Sequence, residues 1–394
     1  MTTSYRNIFL LACCQALLLT NASGLISMNG LVGYSLVDVK TIATLGATTY
    51  VLGSALSTMP MSLWMAKVGR RRGFMAGAVI NIGGCGLAVV ALWFGSFVLY
   101  CMATAVIGIY NAVGLQYRFA AAEVAAPKDR ARAISLVLAG GIGGGFLGPA
   151  ITRWGKDMFA APFLGSFVLL AVVALVALAV QSQVKVPKPT ASESAGGGRP
   201  LREIVRQPVF VVAAMAGGLG YGLMNLLMTA TPLAMDFCSL PYAQAATVIS
   251  WHVVGMYAPS FFTGSLINRF GVLKVILAGV VVMVAGTAIA LTGNDLTHFL
   301  VALLLVGVGW NFMYIGGTTL LTESYTPAER ARTQGANDFI VFSIMAVSSF
   351  TSGALVSAAG WETMNWGALP FLLLVAAVVV WYSRHRGRAA VTRS

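Results

Sequence analysis

Two pairs of soft metal ligands stand out in an otherwise apolar chain: Met224 with Met228, and His252 with Met256, each pair four residues apart. On a helix that spacing puts both members on one face, and two antiparallel helices can bring four such side chains together. Thioether sulfur suits Cu(I) and binds hard cations poorly, while imidazole accepts several first-row metals, so the mixture favours Cu(I). All four ligands are neutral. A bound ion would keep its charge and exchange readily between adjacent ligand sets. His252 is also the one titratable group near the middle of an apolar run, where a polar side chain is costly and marks a candidate for function. The competing reading is packing: the chain holds 17 methionines, which fill irregular gaps in apolar helices, and a lone imidazole can hydrogen-bond a neighbouring helix.

The elements that must carry these residues follow from composition. Hydrophobic residues make up 58% of the chain and charged residues 9%, with a mean hydropathy of +0.83. Soluble domains carry about 25% charged residues, so this is an integral membrane protein. A window of about 20 residues, the length of a helix that crosses the hydrocarbon core, finds twelve spans. They lie near 8–34, 41–64, 74–94, 97–117, 133–154, 163–180, 210–233, 243–266, 272–291, 299–321, 333–360 and 366–382. These are long continuous runs without the short alternation of barrel strands, so the fold class is all-α, a polytopic protein of two six-helix bundles. The first run is too long for a signal-peptide core and reads as a retained helix.

The net charge of +13 is a matter of topology. Of 25 basic residues, all but Lys40, Arg153 and Lys156 fall on one side of a twelve-span weave. By the positive-inside rule both termini are cytoplasmic, and no nucleic-acid surface is implied. Cysteine builds no disulfide framework. Between spans six and seven, Gln181 to Gln207 is polar and rich in Gly, Pro and Ser, which predicts a cytoplasmic linker at 182–207 between bundles at 1–181 and 208–394. The halves repeat. Glu123-Val-Ala-Ala-Pro-Lys-Asp-Arg-Ala-Arg132 matches Glu323-Ser-Tyr-Thr-Pro-Ala-Glu-Arg-Ala-Arg332 at five of ten positions, at an offset of 200. Asn111 and Asn311 share that offset, and the basic turns at Gly69 and Gly271 match at 202.

Two parallel six-span repeats joined by such a linker resemble the major facilitator transporters, and the basic turns resemble that superfamily's loop signature. The second copy reads Gly264-Ser-Leu-Ile-Asn268-Arg269-Phe-Gly271, with Asn where the signature has Asp; the first, before Gly69-Arg70-Arg71-Arg72, is more degenerate. The resemblance implies alternating access around a midplane site. In a reduced version of the usual charge relay, Glu123 and Glu323, at the ends of spans four and ten, hold arginines at the bundle faces. Arg70, Arg130, Arg269 and Arg330 are the gating candidates beside them. Gly140 to Gly145 and Gly148-Pro149 in span five are candidates for close helix contact at a moving interface.

Counting from the outer turn at 1.5 Å per residue, Met224 and His252 share a level about 13 Å below the boundary, with Met228 about 6 Å further out and Met256 about 6 Å further in. The pair Met-x-x-x-Met and His-x-x-x-Met on spans seven and eight resembles that of the CcoA-like copper importers. That resemblance implies copper uptake across a bacterial inner membrane for assembly of a cbb3-type cytochrome oxidase, with copper as substrate, cytoplasmic copper chaperones as partners and a monomeric, non-enzymatic transporter. Members of that family also carry a cysteine in each of the two helices; Cys238 fills the second place, span seven holds none, and Cys13 and Cys14 on span one are accessory candidates. A related subfamily is linked to riboflavin uptake. A flavin wants aromatic stacking and amide hydrogen bonds, for which Tyr110, Asn111, Gln116, Asn225, Trp310, Asn311 and Tyr314 are candidates. Drug efflux fits the fold but leaves the paired motifs unexplained.

Overall fold

The computed structural model describes residues 3–37, 45–186 and 198–391. Lys40, Lys188 and the Gly/Ser-rich centre of the expected linker lie outside the described residues. Every regular element is helical. In chain order the α-helices are α1 Thr3–Leu36, α2 Leu45–Val68, α3 Arg70–Trp93, α4 Phe97–Gly114, α5 Tyr117–Val124, α6 Arg130–Ala139, α7 Gly141–Gly155 and α8 Leu164–Gln181. There follow α9 Leu201–Val205, α10 Pro208–Phe237, α11 Tyr242–Tyr257, α12 Ser260–Phe270, α13 Val272–Ala290 and α14 Leu296–Leu321. The last stretch, Arg330–Val391, is divided at Gly360, whose φ of 79° is not helical, into α15 (330–359) and α16 (361–391).

Nine of the twelve expected spans are long and apolar enough to cross a membrane, among the described residues. The other three differ for local reasons. Span two (α2) carries six Ser and Thr side chains. Span eight, expected as one helix, is broken at Ala258–Pro259 into α11 and α12, because proline brings no N–H to the helical ladder. Span eleven (α15) starts with two arginines and carries Gln334, Asn337 and Asp338.

The chain clusters into two compact units that each borrow a piece of sequence. The first holds Met1–Pro127, Leu136–Gly197 and Ala328–Phe339, and the second holds Lys128–Ser135, Gly198–Pro327 and Ile340–Ser394. Within the first, α1 packs on α7 and α8, and α4 packs on α2 and α3. Within the second, α14 is the hub, lying against α10, α11 and α13.

The tandem repeat is visible in the backbone. Gly69 and Gly271 open α3 and α13 with the same left-handed geometry, φ 91° and ψ 153° against φ 89° and ψ 149°. L-residues with a Cβ rarely adopt such a conformation. In each repeat the matched asparagine ties its helix to the second helix of the repeat. Asn111 Nδ2 donates to Ser54 Oγ at 3.2 Å, and Asn311 Nδ2 donates to Ser260 Oγ and the Met256 carbonyl, both at 2.6 Å.

Candidate functional site

In the second unit the midspan residues gather on α14. Trp310, 2% exposed, stacks on Tyr314 with ring centroids 5.0 Å apart and planes 16° from parallel. Tyr221 of α10 meets both rings edge-on, at 5.2 and 5.3 Å, and Tyr257, the last residue of α11, meets Trp310 at 5.8 Å. Such edge-to-face and offset pairs are the favoured geometries of aromatic rings. Tyr221 and Tyr257 were not among the candidates named from sequence. Their signal was available only as aromatic residues on the spans that also carry the Met and His pairs.

Asn311, the next residue on α14, closes the break in span eight. It donates to the Met256 carbonyl before the break and to Ser260 Oγ after it, and it accepts from Thr263 Oγ1 at 2.7 Å. Its carboxamide is consumed by structure. Asn225 is likewise engaged, donating to Ser348 Oγ at 3.0 Å on α15.

The four predicted metal ligands lie on α10 (Met224, Met228) and α11 (His252, Met256). Helices α10 and α11 pack chiefly on α14, and His252 follows that packing: Nδ1 lies 2.6 Å from the Leu303 carbonyl. A carbonyl only accepts, so Nδ1 carries the proton and Nε2 is left as an acceptor. Met224 and Met256 are buried, and Met228 is half-buried. Among the described residues no group of three or more His, Cys, Asp or Glu could hold a metal. All five cysteines are free thiols. Cys14 is buried and Cys13 half-buried on α1 in the first unit, whereas Cys238 caps the end of α10 in the second.

A second constellation belongs to the first unit, where residues 328–339 join the ends of α3, α4 and α5. Arg70 binds Glu123 through Nη2 at 2.7 Å and Nε at 3.3 Å, and Arg330 approaches the same carboxylate at 3.5 Å. Arg70 also donates to Gln116 Oε1 at 2.8 Å and Gln334 Oε1 at 2.5 Å. Gln116 passes the chain on, donating to Asp338 at 3.3 Å, and Asp338 is paired with Arg118, both side chains all but fully buried. A bidentate arginine and a bridging amide give such a network fixed geometry. Gln116, named as a substrate contact from sequence, is taken up here instead. Asp338 and Arg118 are 220 residues apart, so no local pattern in the sequence pairs them.

The other gating candidates are dispersed. Glu323, expected to hold an arginine as Glu123 does, pairs with Arg386 at 3.1 Å on the surface. Arg269 is exposed and lies over the Phe270 ring at 5.2 Å. Arg130 begins α6, half-buried.

Residues 8–249 and 221–393 match the Major Facilitator Superfamily. The chain belongs to that superfamily. It is a multi-pass membrane transporter in contact with the lipid bilayer, not an enzyme. It is 41% identical to the riboflavin transporter RfnT of Brucella anthropi over 392 residues, 99% of this chain and 98% of that one. The fold matches that of the human organic anion transporter MFSD10, with a TM-score of 0.78 at 11% identity over 96% of this chain and all of that one. It also matches a bacterial homologue of the iron transporter ferroportin, with a TM-score of 0.75 at 14% identity over 96% of this chain and 99% of that one.

The likeness to RfnT overturns copper import. Copper as substrate, copper chaperones as partners and a role in cytochrome oxidase assembly go with it. Four-residue spacing puts His252 and Met256 on one face, but it does not say which helix that face meets or what passes it.

Proposed function

We propose that this chain is an uptake transporter for riboflavin or a closely related flavin. The observation that carries the reading is the 41% identity to a riboflavin transporter across essentially the whole of both chains. The aromatic cluster of Tyr221, Tyr257, Trp310 and Tyr314 supports it, because a flavin is a large planar ring that such side chains stack upon or edge against. Met224, Met228 and Met256 add polarizable, adaptable walls suited to an aromatic guest. In this reading the protein lies in a bacterial inner membrane with both termini cytoplasmic, as the side of its basic residues implies. It works by alternating access between a bundle at 1–181 and one at 208–394, linked through 182–207. The network of Arg70, Glu123, Gln116, Arg118, Arg330 and Asp338 is then a cytoplasmic gate, and Glu323, Arg130 and Arg269 tune it.

The test is accumulation of labelled riboflavin in a riboflavin-auxotrophic bacterium that lacks its own uptake system. Cells expressing the chain accumulate the label and grow at low external riboflavin. A chain present in the membrane at normal abundance that supports neither accumulation nor growth overturns the reading.

A further inference from the structure

Among the buried polar atoms of the second unit that have no hydrogen-bond partner are Nε1 of Trp310 and Nε2 of His252. Their side chains are 2% and 0% exposed, so bulk water does not reach them. They are of opposite kinds. The indole N–H only donates, and Nε2 of His252 accepts because Nδ1 carries the ring proton and donates a hydrogen bond to the Leu303 carbonyl. Buried polar groups are nearly always paired, and an orphan donor and an orphan acceptor on or against the same helix, α14, ask for a third party.

Their placement narrows what that party is. Leu303, which anchors His252, and Trp310 are seven residues apart on α14, two turns along one face, about 10 Å. Trp310 is ringed by Tyr221, Tyr257 and Tyr314, and Tyr257 immediately precedes the break at Ala258–Pro259. Ala258 and Pro259 keep helical φ and ψ, so the interruption is a proline kink in the hydrogen-bond ladder, and transporters commonly hold their substrates beside interrupted helices. Asn311 holds the break closed with all of its hydrogen bonds and is therefore a positioning residue. Tyr221 is the half-buried ring of the cluster and the one a guest can displace.

We propose that Trp310 Nε1 and His252 Nε2 are the paired polar contacts of the substrate site. The indole N–H donates to a carbonyl oxygen on a planar fused ring that packs against Tyr221, and the imidazole accepts from a hydroxyl about two turns away. The ligand class is a heteroaromatic ring with carbonyl acceptors and a polyhydroxyl chain. This rests on the flavin reading and deepens it, since riboflavin carries both parts.

The experiment uses purified full-length protein in nanodiscs and reads binding by quenching of flavin fluorescence. Riboflavin and lumiflavin, which has the ring without the hydroxyl chain, are the two probes. Wild type binds riboflavin about tenfold more tightly than lumiflavin, the worth of one hydrogen bond. Trp310→Phe keeps an aromatic ring, loses the N–H and weakens both probes about tenfold. His252→Phe weakens riboflavin about tenfold and leaves lumiflavin unchanged, and His252→Gln, which keeps an acceptor, restores part of the loss. Trp154→Phe, at a position 65% exposed, binds as wild type. Riboflavin binding that survives both Trp310→Phe and His252→Phe overturns the site while leaving the flavin reading intact. Equal wild-type affinity for the two probes overturns the imidazole contact without any variant. Wild type that binds neither probe overturns the flavin reading and the site with it.

Discussion

The two units differ in whether their buried polarity includes charge. The first holds an ion pair at the basic end of the helices, Arg118 with Asp338, side chains 2% and 1% exposed, besides neutral contacts such as Asn81 to Asn21 and Tyr100 to Asn29. The second unit's buried polarity is neutral and midspan, in the carboxamide of Asn311, the indole of Trp310 and the imidazole of His252. Positions related by the offset of 200 show where the repeats parted. Asn111 and Asn311 keep one residue and one task, fastening the fourth helix of the repeat to the second. At that offset Arg118 corresponds to Thr318, Gln116 to Gly316 and Tyr110 to Trp310. One scaffold thus carries a charged clasp in one unit and an aromatic cluster in the other. The lesson is that pseudo-symmetry fixes the frame, while chemistry is free to settle on either side of it.

The sharpest way to break this contrast is to remove one member of the buried ion pair. Arg118→Ala leaves the Asp338 carboxylate buried without its cation, which costs about 3–5 kcal/mol, whereas an Arg118→Met, Asp338→Leu double variant recovers most of that loss. Glu323→Ala deletes the matching carboxylate of the other repeat, whose pair with Arg386 is 40% and 51% exposed. It costs about 0–1 kcal/mol. Thermal unfolding of the detergent-solubilised proteins measures all three. Equal losses for Arg118→Ala and Glu323→Ala would show that burial does not separate the two ends.

How much of this was legible in the sequence follows from what hydropathy and spacing can carry. Twelve apolar runs and a repeated Glu-to-Arg segment were enough for the fold class and the tandem repeat, because both are local or periodic signals. The left-handed turns at Gly69 and Gly271 were visible as matched glycines. What faces what was not. His252 was found as a polar intruder, but its contact with Leu303, 51 residues on, could not be read from its partner four residues away. The clasp was invisible for the same reason, since Asp338 looks like an ordinary residue near a helix start until residues 328–339 are seen to join the first unit. The break of span eight had a sign in Pro259, and the reading of one continuous helix overlooked it.

Close helix contact is the second place where the repeats exchange roles. In the first, the glycines are on span five: a Cβ at Gly144 would lie 2.3 Å from the Ala16 carbonyl oxygen and 2.7 Å from Thr20 N, both backbone atoms of α1. At the matching position of the second repeat stands Ile344, and the glycine is on span seven instead. There a Cβ at Gly222 would meet Ile344 Cγ2 at 2.5 Å, with its next neighbour at 3.8 Å. Backbone cannot yield as a side-chain methyl can. Gly144→Ala therefore destabilises by about 1–3 kcal/mol, while the gain in helix propensity of about 1 kcal/mol lets Gly222→Ala come out near neutral. Thermal unfolding of the two variants ranks them, and a larger loss at Gly222 would mean that α10, not α7, is the more tightly seated helix.

The smallest difference is at the helix caps. Ser96 caps α4 by accepting from Leu99 N at 3.4 Å, and Asp295 caps α14 by accepting from Thr297 N at 2.8 Å and His298 N at 3.1 Å. One cap cannot titrate and the other can. Asp295 is held below its ordinary carboxyl pKa, first by the hydrogen bond from the His298 side chain and then by the backbone N–H of the same residue. A carboxylate whose folded pKa is lowered contributes stability above its unfolded pKa and loses it as pH falls through the folded one. The wild-type chain should therefore melt slightly higher than Asp295→Ser at neutral pH, and the gap should close under acid. A matching Ser96→Asp variant supplies the reciprocal test, because a carboxylate at the positive end of α4 gains from the helix dipole only while ionised. Its advantage over wild type should fade over the same direction of pH. A cap difference at Asp295 that is constant with pH would assign the effect to side-chain shape and remove charge from this part of the comparison.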